Sequence, residues 1–495
     1  MTGHLVYPIL APLGAAVLCL ALHRSVRAQR LVSLTALASI IVYAGGWLWP
    51  ALGAGQVLTL RLGGWPAPFG IVLAVDVFSG IMLTLSGVTG LAVLIFAVAW
   101  LDGGREEPFF YPLYLVLFMG IHGAFLTGDL FNLYVFFEVL LVASFGLAAL
   151  GGSRAQIEGT IRYLVASQVS SALFLVGVGL LYGVAGTLNM ADLATKLAGP
   201  LAAPYVAVVA PLFLVAFGIK AAIFPLFFWL PASYPAAKTP VTAIFGGLLT
   251  KVGIYALIRC YTLLLPAQWQ AHRGLLLGIA ILTMVVGVLG AVAQSDVKRL
   301  LSFHIISQIG YLIMGLGLSS RLALAATLYF MVHIVLVKTS LLLIAGLLER
   351  MTGTTDLYAM GGLLRRRPGV AVLFLTAALA LAGAPPLSGF VAKFGLVLAG
   401  LQGRAFVAVA VALGVSMLTL FSMIKIWTQA FMKQAPATAA IAPLGGTLVA
   451  STIGLVAVAV LAAVLAAPVW AVANQAAGQL LDVGPYVSAV LGNQG

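Results

Sequence analysis

Apolar stretches of about twenty residues follow one another along almost the whole chain, separated by short polar or basic connections. Each is long enough to cross roughly 30 Å of hydrocarbon as an α-helix. Runs of spanning length predict helices at roughly 4–22, 31–50, 70–100, 110–127, 129–150, 161–183, 205–230, 240–264, 274–293, 300–318, 322–348, 370–400, 404–430 and 447–471. The pattern is that of an all-α polytopic membrane protein with about fourteen transmembrane helices. Two runs, at roughly 70–100 and 370–400, exceed what a straight crossing needs, so they tilt, extend past the bilayer or break. The segment Leu58–Pro68, with Gly63, Gly64 and Pro66, reads as an external hairpin. The first apolar run lacks a basic leader and reads as a retained helix rather than a cleaved signal.

Composition agrees with a membrane solvent. Of 495 residues, 63% are hydrophobic and 7% charged, where a soluble domain carries roughly 25% charged. The net charge of +13 does not point to nucleic acid. A nucleic-acid-binding domain gathers its charge on one wetted face, whereas here the excess sits in short connections between apolar runs. Placing the N-terminus outside puts Arg24, Arg27, Arg30, Arg154, Arg162, Lys238, Lys298, Arg299, Arg350, Arg365, Arg366, Arg367 and Lys433 in cytoplasmic loops. The opposite loops keep only Arg61, Lys196, Arg259, Arg273, Arg321 and Arg404. This asymmetry predicts a multi-pass protein of a bacterial inner membrane with both termini external. Cys19 and Cys260 lie in or near separate apolar runs, so no iron–sulfur centre, zinc site or other cofactor is expected.

Ionisable groups inside a membrane are costly and are usually kept for function. Most of the twelve acidic residues fall in loops or near helix ends, but Glu138 lies near the middle of its predicted helix. Lys220, Lys251, Lys338 and Lys393 are comparably deep. One carboxylate cannot neutralise four lysines by pairing. A row of lysines with lowered proton affinity, spaced by water, is a proton path. His304 and His333 lie within helices and join the candidate path, either as relays, since histidine exchanges protons near neutral pH, or as satisfied interior histidines. Lys425 sits closer to a helix end, where its side chain can snorkel to water. His122 and Asp129 fall near an outer helix end, as a solvated cap or the edge of an external mouth.

Proline supplies a second signal. Pro225 follows Lys220 in GIKAAIFPLFFWLP, and Pro385 and Pro386 precede Lys393 in AGAPPLSGFVAKFG. Proline inside a helix removes a hydrogen bond and clashes with the preceding turn. Unwound backbone at membrane depth is tolerated where protein or a hydrated cavity surrounds it. Two lysine-bearing broken helices, five spans apart, suggest two five-helix repeats of inverted topology.

Five stretches carry a family resemblance: GDLFNLYVFFEVLLVASFGL, FGIKAAIFPLFFWLPASYPAAKTPVTAIFGGLLTKVGIYALIR, AQSDVKRLLSFHIISQIGYLIMGLG, VHIVLVKTSLLLIAGL and GAPPLSGFVAKFGL. They resemble the large antiporter-like subunits shared by Mrp-type multisubunit cation/proton antiporters and respiratory complex I, most closely those of the Mrp D type. The resemblance implies Glu138–Lys220 as a modulating pair, Lys251 as a relay and Lys393 as the terminal donor or acceptor, and it matches Lys338 to the lysine of the eleventh helix. Relatives often place histidine four residues before the eleventh-helix lysine. Here that position is Ile334, and His333 lies one residue earlier, about 100° around the helix.

The resemblance further implies an organisation into helices 1–3 (1–109), a first repeat (110–264), a second repeat (274–433) and a last helix with its tail (447–495). It implies a secondary active transporter subunit, with an A-like large subunit and small membrane subunits as partners, exchanging protons for Na⁺ or another monovalent cation. A proton-pumping subunit of complex I or of a membrane-bound hydrogenase would use the same residues and is the alternative reading. No Gly-rich dinucleotide fingerprint or metal cluster supports a redox site in this chain.

Overall fold

The computed structural model describes residues 2–53, 55–101, 109–434 and 442–492. Twelve helices among them are long and apolar enough to cross a membrane. In chain order these and five further helices are α1 (Gly3–Ala21), α2 (Val26–Leu52), α3 (Val77–Trp100), α4 (Phe110–Leu126), α5 (Leu130–Ala149), α6 (Arg154–Ala185), α7 (Ala203–Ala221), α8 (Thr239–Leu264), α9 (Arg273–Ala293), α10 (Val297–Leu318), α11 (Arg321–Thr352), α12a (Pro368–Ala382), α12b (Ser388–Gln402), α13 (Phe406–Met432), α14 (Gly446–Val464), α15 (Ala466–Leu481) and α16 (Gly484–Leu491), with very short helices in some of the connections. Counting α4 and the broken pair α12a–α12b as crossings is compatible with fourteen spans.

Helix ends follow local chemistry. Ser25, Asp76, Asp129, Ser153, Asp296 and Ser320 each accept a backbone N–H in the first turn of the following helix. Ser153 and Gln156 complete a reciprocal capping box on α6. Gly186 and Gly353 close α6 and α11 at φ +65° and +72°, where a side chain would be strained.

The long run at 70–100 is not one helix. Val72–Val75 forms a strand (β2) paired antiparallel with Leu58–Arg61 (β1), in register Leu58↔Val75 to Arg61↔Val72. Asp76 then starts α3 by capping Ser79 N at 2.9 Å. The hairpin read from Leu58–Pro68 is thus a two-stranded ribbon. α16 lies over it, with Thr59 Oγ1 donating to Ala489 O at 3.3 Å. The tail beyond Trp470 continues as α15, whose Gln479 accepts from Val77 N at 3.0 Å and donates to Gly55 O at 2.7 Å.

The helices from α4 to α13 fall into two similar sets. α6 and α11 are both 32 residues long, each with a Ser N-cap and a left-handed Gly C-cap. Isolated bridges join Asp129 to Asn189 in one set and Asp296 to Asp356 in the other. α8 and α13 both contain π-helical turns. The helix breaks fall after α7 and between α12a and α12b. These correspondences are compatible with two repeats, α4–α8 and α9–α13. An odd number of crossings per repeat makes them inverted.

α8, α10 and α11 are enclosed by the rest of the chain along almost their whole length. Glycine permits this packing. A Cβ on Gly287 would meet Ser307 Cα at 2.7 Å, and one on Gly310 would meet Met284 N at 2.7 Å, so α9 and α10 touch backbone to backbone.

Candidate proton path

The first cluster forms where α7 ends. Ala222, at φ +61°, turns the chain out of α7, and the backbone stays non-helical around Pro225 until the short helix Trp229–Ser233. Trp229 Nε1 donates to Ile219 O at 3.0 Å and holds the returning chain against α7. Lys220, in the last turn of α7, is buried and donates to Ser171 Oγ on α6 at 3.2 Å. Its ammonium lies 4.9 Å from the ring centre of Phe137 on α5. Glu138, the next residue, is half-buried and close enough for Coulombic attraction to Lys220. Its Oε1 has no hydrogen-bond partner, and the pair makes no direct ion contact. Ser171 holds the lysine in the carboxylate's place.

The second cluster is on α8. The π-turn Phe245–Leu249 interrupts α-helical bonding. Lys251 reaches back to Gly246 O at 2.6 Å, so a backbone carbonyl takes the ammonium. Gly253 packs on α7, where a Cβ would meet Ala221 N at 2.9 Å and Lys220 C at 3.1 Å. The Lys220 and Lys251 segments are therefore in direct backbone contact. On the other side, Gly246 and Gly247 let α11 approach: a Cβ on Gly246 would meet Leu342 at 2.5 Å, and one on Gly247 would overlap Thr339. This brings Lys338, the neighbour of Thr339, to the level of Lys251. Lys338 is fully buried, its Nζ has no partner, and it lies within Coulombic reach of Lys251 and Lys393.

The third cluster surrounds the second break. α12a ends at Ala382, Gly383 adopts φ +92°, and Pro385 and Pro386 lie in the unwound link before α12b. Lys393 reaches back across this link and donates to Leu381 O and Ala382 O, both at 3.0 Å. These are orphan carbonyls at the negative end of a half-helix, which compensate the ammonium without a carboxylate. Gly383 leaves the space, since a Cβ there would meet Lys393 Cδ at 2.9 Å. Tyr311 of α10 presents its ring 4.9 Å from the same ammonium. His333 Nδ1 bonds Ser388 Oγ at 2.9 Å, and His304 Nε2 bonds Ser422 Oγ at 2.6 Å. Their other ring nitrogens, and both amide atoms of Gln308, are buried without partners.

The seven sequence-selected groups thus form one band of neighbours, from Glu138 through Lys220, Lys251 and Lys338 to Lys393, with His304 and His333 beside Lys393. His333 faces the second break despite its one-residue offset. Ser171, Ser388, Ser422 and Gln308 belong to the band as well. Among these, only Ser388 had a local signal, as the first residue after the PPL link.

Other charges stand differently from the sequence reading. Lys425 reaches the loop end of α9, where it donates to Val292 O at 3.0 Å and Gln294 O at 2.8 Å and closes the C-terminal end of that helix. His122 is fully buried and bonds Pro8 O at 2.8 Å. Asp129 caps α5 through Asn132 N at 2.8 Å, and burial raises its carboxyl to about 6. Arg259, grouped above with external loop charges, is buried in α8 and joined to Asp76. Lys298 is also buried, paired to Glu349 at 2.7 Å. This pair and Thr239, which donates to Glu349 at 2.9 Å, line a polar cavity of about 360 Å³ at the start of α8.

Residues 127–422, more than half of the chain and including the whole band, match the family described as NADH:quinone oxidoreductase/Mrp antiporter, transmembrane. The chain belongs to this family. The D subunit of the Na⁺/H⁺ antiporter of Alkalihalophilus pseudofirmus is 44% identical over 99% of this chain and 100% of that protein. A chain of the Mrp complex from Dietzia sp. DQ12-45-1b is similar in structure, with a TM-score of 0.92 and 32% identity over 99% of both chains. A chain of respiratory complex I from Thermus thermophilus shares the fold, with a TM-score of 0.84 at 24% identity over 96% of this chain and 99% of that one.

Proposed function

We propose that this chain is the D-type subunit of a multisubunit Na⁺/H⁺ antiporter and conducts protons along the buried band. The observation that carries the reading is the continuity of the band. Four lysines reach from one helix break to the other; carbonyls, a serine or nothing at all accept hydrogen bonds from their ammonium groups, and the one carboxylate nearby, Glu138, attracts Lys220 without a direct ion contact. Such groups exchange protons through ordered water, and the unpartnered atoms of Lys338, His304, His333 and Gln308 are the polar positions that hold it. The full-length likeness to a protein named as the D subunit of such an antiporter supports the assignment.

Glu138 and Lys220 form the modulating pair in this reading. When Lys220 leaves Ser171 and meets Glu138, its charge is held there, and when it returns, the charge repels a proton onward to Lys251. Lys338 and the histidines carry it to Lys393, which releases it at the second break. The Lys298–Glu349 cavity, at the basic-rich end of α8, is the cytoplasmic mouth in this scheme. The chain is an inner-membrane transporter subunit that works with a large A-like subunit and small membrane subunits. Lysines are poor ligands for Na⁺, which prefers oxygen, so the sodium path belongs to a partner or an interface.

The test is cation-dependent dissipation of ΔpH in everted vesicles from an antiporter-deficient bacterial host. Three constructions are compared: this chain alone, its whole operon, and the operon carrying Lys393→Ala. Sodium-dependent activity from the operon only, lost with Lys393→Ala in an assembled complex, is the expected result. An assembled operon with no such activity rejects the antiporter and favours a redox-driven proton pump.

A further inference from the structure

A cavity of about 500 Å³ opens beside the first helix break, away from the proton band. Arg162 of α6 and Arg299 of α10 both line it. Its walls are otherwise apolar, including Phe228, Pro231, Leu289 and Phe303. Phe228 is 71% and Leu289 53% exposed. The break itself forms one wall, because Phe228 and Pro231 belong to the segment that follows Lys220.

Arg299 stands in the first turn of α10 and Arg162 in the third turn of α6, both toward the basic-rich side of the chain. Arg299 is the third residue of α10, and Leu289 lies four residues before the end of α9. Arg162 sits on a helix of 32 residues, about 48 Å long, so a position nine residues in falls near the hydrocarbon boundary. Glu158 pairs with one amino group of Arg162 at 2.5 Å, leaving its other donors free. The Arg299 guanidinium has no ion-pair partner among the described residues. Two arginines against one glutamate leave the cavity one positive charge in excess. A lone basic residue at this depth is ordinary membrane topology. Two arginines lining one cavity that phenylalanines also line supply charge for a phosphate beside a surface for hydrocarbon.

We infer that this cavity binds one anionic phospholipid. Its phosphate is held by Arg162 and Arg299, and an acyl chain runs over Phe228, Leu289 and Phe303. Charge and shape both select this occupant. A zwitterionic lipid would bring a cationic group to two arginines, and free phosphate would leave the exposed phenylalanine uncovered. The lipid would then sit against the unwound segment after Lys220 and brace it.

The assembled complex, purified from its operon, is reconstituted in phosphatidylcholine bilayers with a minor fraction of phosphatidylglycerol. Lipid retained by the complex is measured by native mass spectrometry and by the immobilised fraction of spin-labelled lipid. Wild type is expected to hold phosphatidylglycerol about tenfold more strongly than the Arg162→Gln/Arg299→Gln variant, one factor of ten per 1.4 kcal/mol. Phosphatidylcholine retention should not change. Arg154→Gln, which removes a basic residue outside the cavity, should leave the preference intact. Should the double variant fail to assemble, Arg162→Lys/Arg299→Lys keeps the charge, and Phe228→Ala removes only the chain contact. The first should retain part of the preference and the second should shorten lipid residence. Equal retention in wild type and these variants overturns the proposal. So does displacement of the lipid by inorganic phosphate, which would make this a plain anion site. Cross-linking of Val286→Cys to a partner subunit would mean that protein fills the cavity.

Discussion

Arg259 meets Asp76 through two parallel bonds, Nη1 to Oδ2 at 2.6 Å and Nη2 to Oδ1 at 2.8 Å, with both side chains buried. Tyr255 and Tyr486 flank the guanidinium, and Ser79 lies 3.4 Å from it. The pair ties the start of α3 to the helix that carries Lys251, eight residues away. Removing one partner strands a buried charge, which costs about 3–5 kcal/mol. Arg259→Met should therefore lower the thermal midpoint of the purified complex strongly. Asp76→Asn combined with Arg259→Met should cost less than the two single changes summed. Additive losses would mean that the pair is not coupled.

Lys338 offers the opposite sign. Its ammonium has no protein partner, so replacing it removes an unsatisfied buried group. Lys338→Met should raise stability by about 1–3 kcal/mol while slowing transport on the order of a hundredfold, as expected for loss of a proton-transfer group. Thermal unfolding and vesicle transport on the same preparation check both halves. A variant that is less stable and fully active would remove Lys338 from the path.

At the first break, Glu138→Gln and Lys220→Met should each abolish most sodium-dependent ΔpH dissipation in an assembled complex. Ser171→Ala should be milder. It deletes one hydrogen bond worth about 0.5–1.5 kcal/mol, which shifts the balance of lysine positions by roughly two- to tenfold. Unchanged transport in both Glu138→Gln and Lys220→Met would reject the pair as a switch.

Gly389 sits where α12b meets α12a, and a Cβ there would come within 2.9 Å of His333 Cε1 and overlap the carbonyl of Ala380. Gly389→Ala should cost about 1–3 kcal/mol by overpacking and reduce transport by moving His333. Gly414→Ala, facing open space on α13, should leave both unchanged. Equal behaviour of the two would show that the second break tolerates displacement.

Lys425→Met should lower stability by about 1 kcal/mol, because it uncaps the C-terminal carbonyls of α9. Transport per assembled complex should be retained, since Lys425 lies outside the band. A transport defect without loss of stability would give it a role in conduction.

Much of this was legible in the sequence because membrane solvent penalises charge so heavily. Lys220, Lys251, Lys338 and Lys393 stood out against apolar runs, and the prolines beside two of them marked the unwound segments. Hydrophobicity alone could not separate β2 from α3, since all four strand residues are apolar and buried. Only Asp76, a capping residue before Ser79, marked that boundary. Arg259 looked like a loop charge because counting basic residues by loop ignores pairing at long range. Its partner is 183 positions away. Serines 171 and 422 carried little signal, since a hydroxyl inside a helix ordinarily bonds its own preceding turn.

The enclosure of α8, α10 and α11 also bears on how the protein is made. A lysine at the centre of a lone helix costs roughly 2.5–3.5 kcal/mol on insertion, and these helices reach shelter only once later helices surround them. Lys251 is synthesised before the α11 face that covers it exists. The nascent chain must then keep α8 beside α3 and α7, or at the insertion machinery, until α11 emerges. Biogenesis of the two halves is therefore coupled: a ribosome stalled after α8 would leave Lys251 without the α11 face that covers it in the finished bundle.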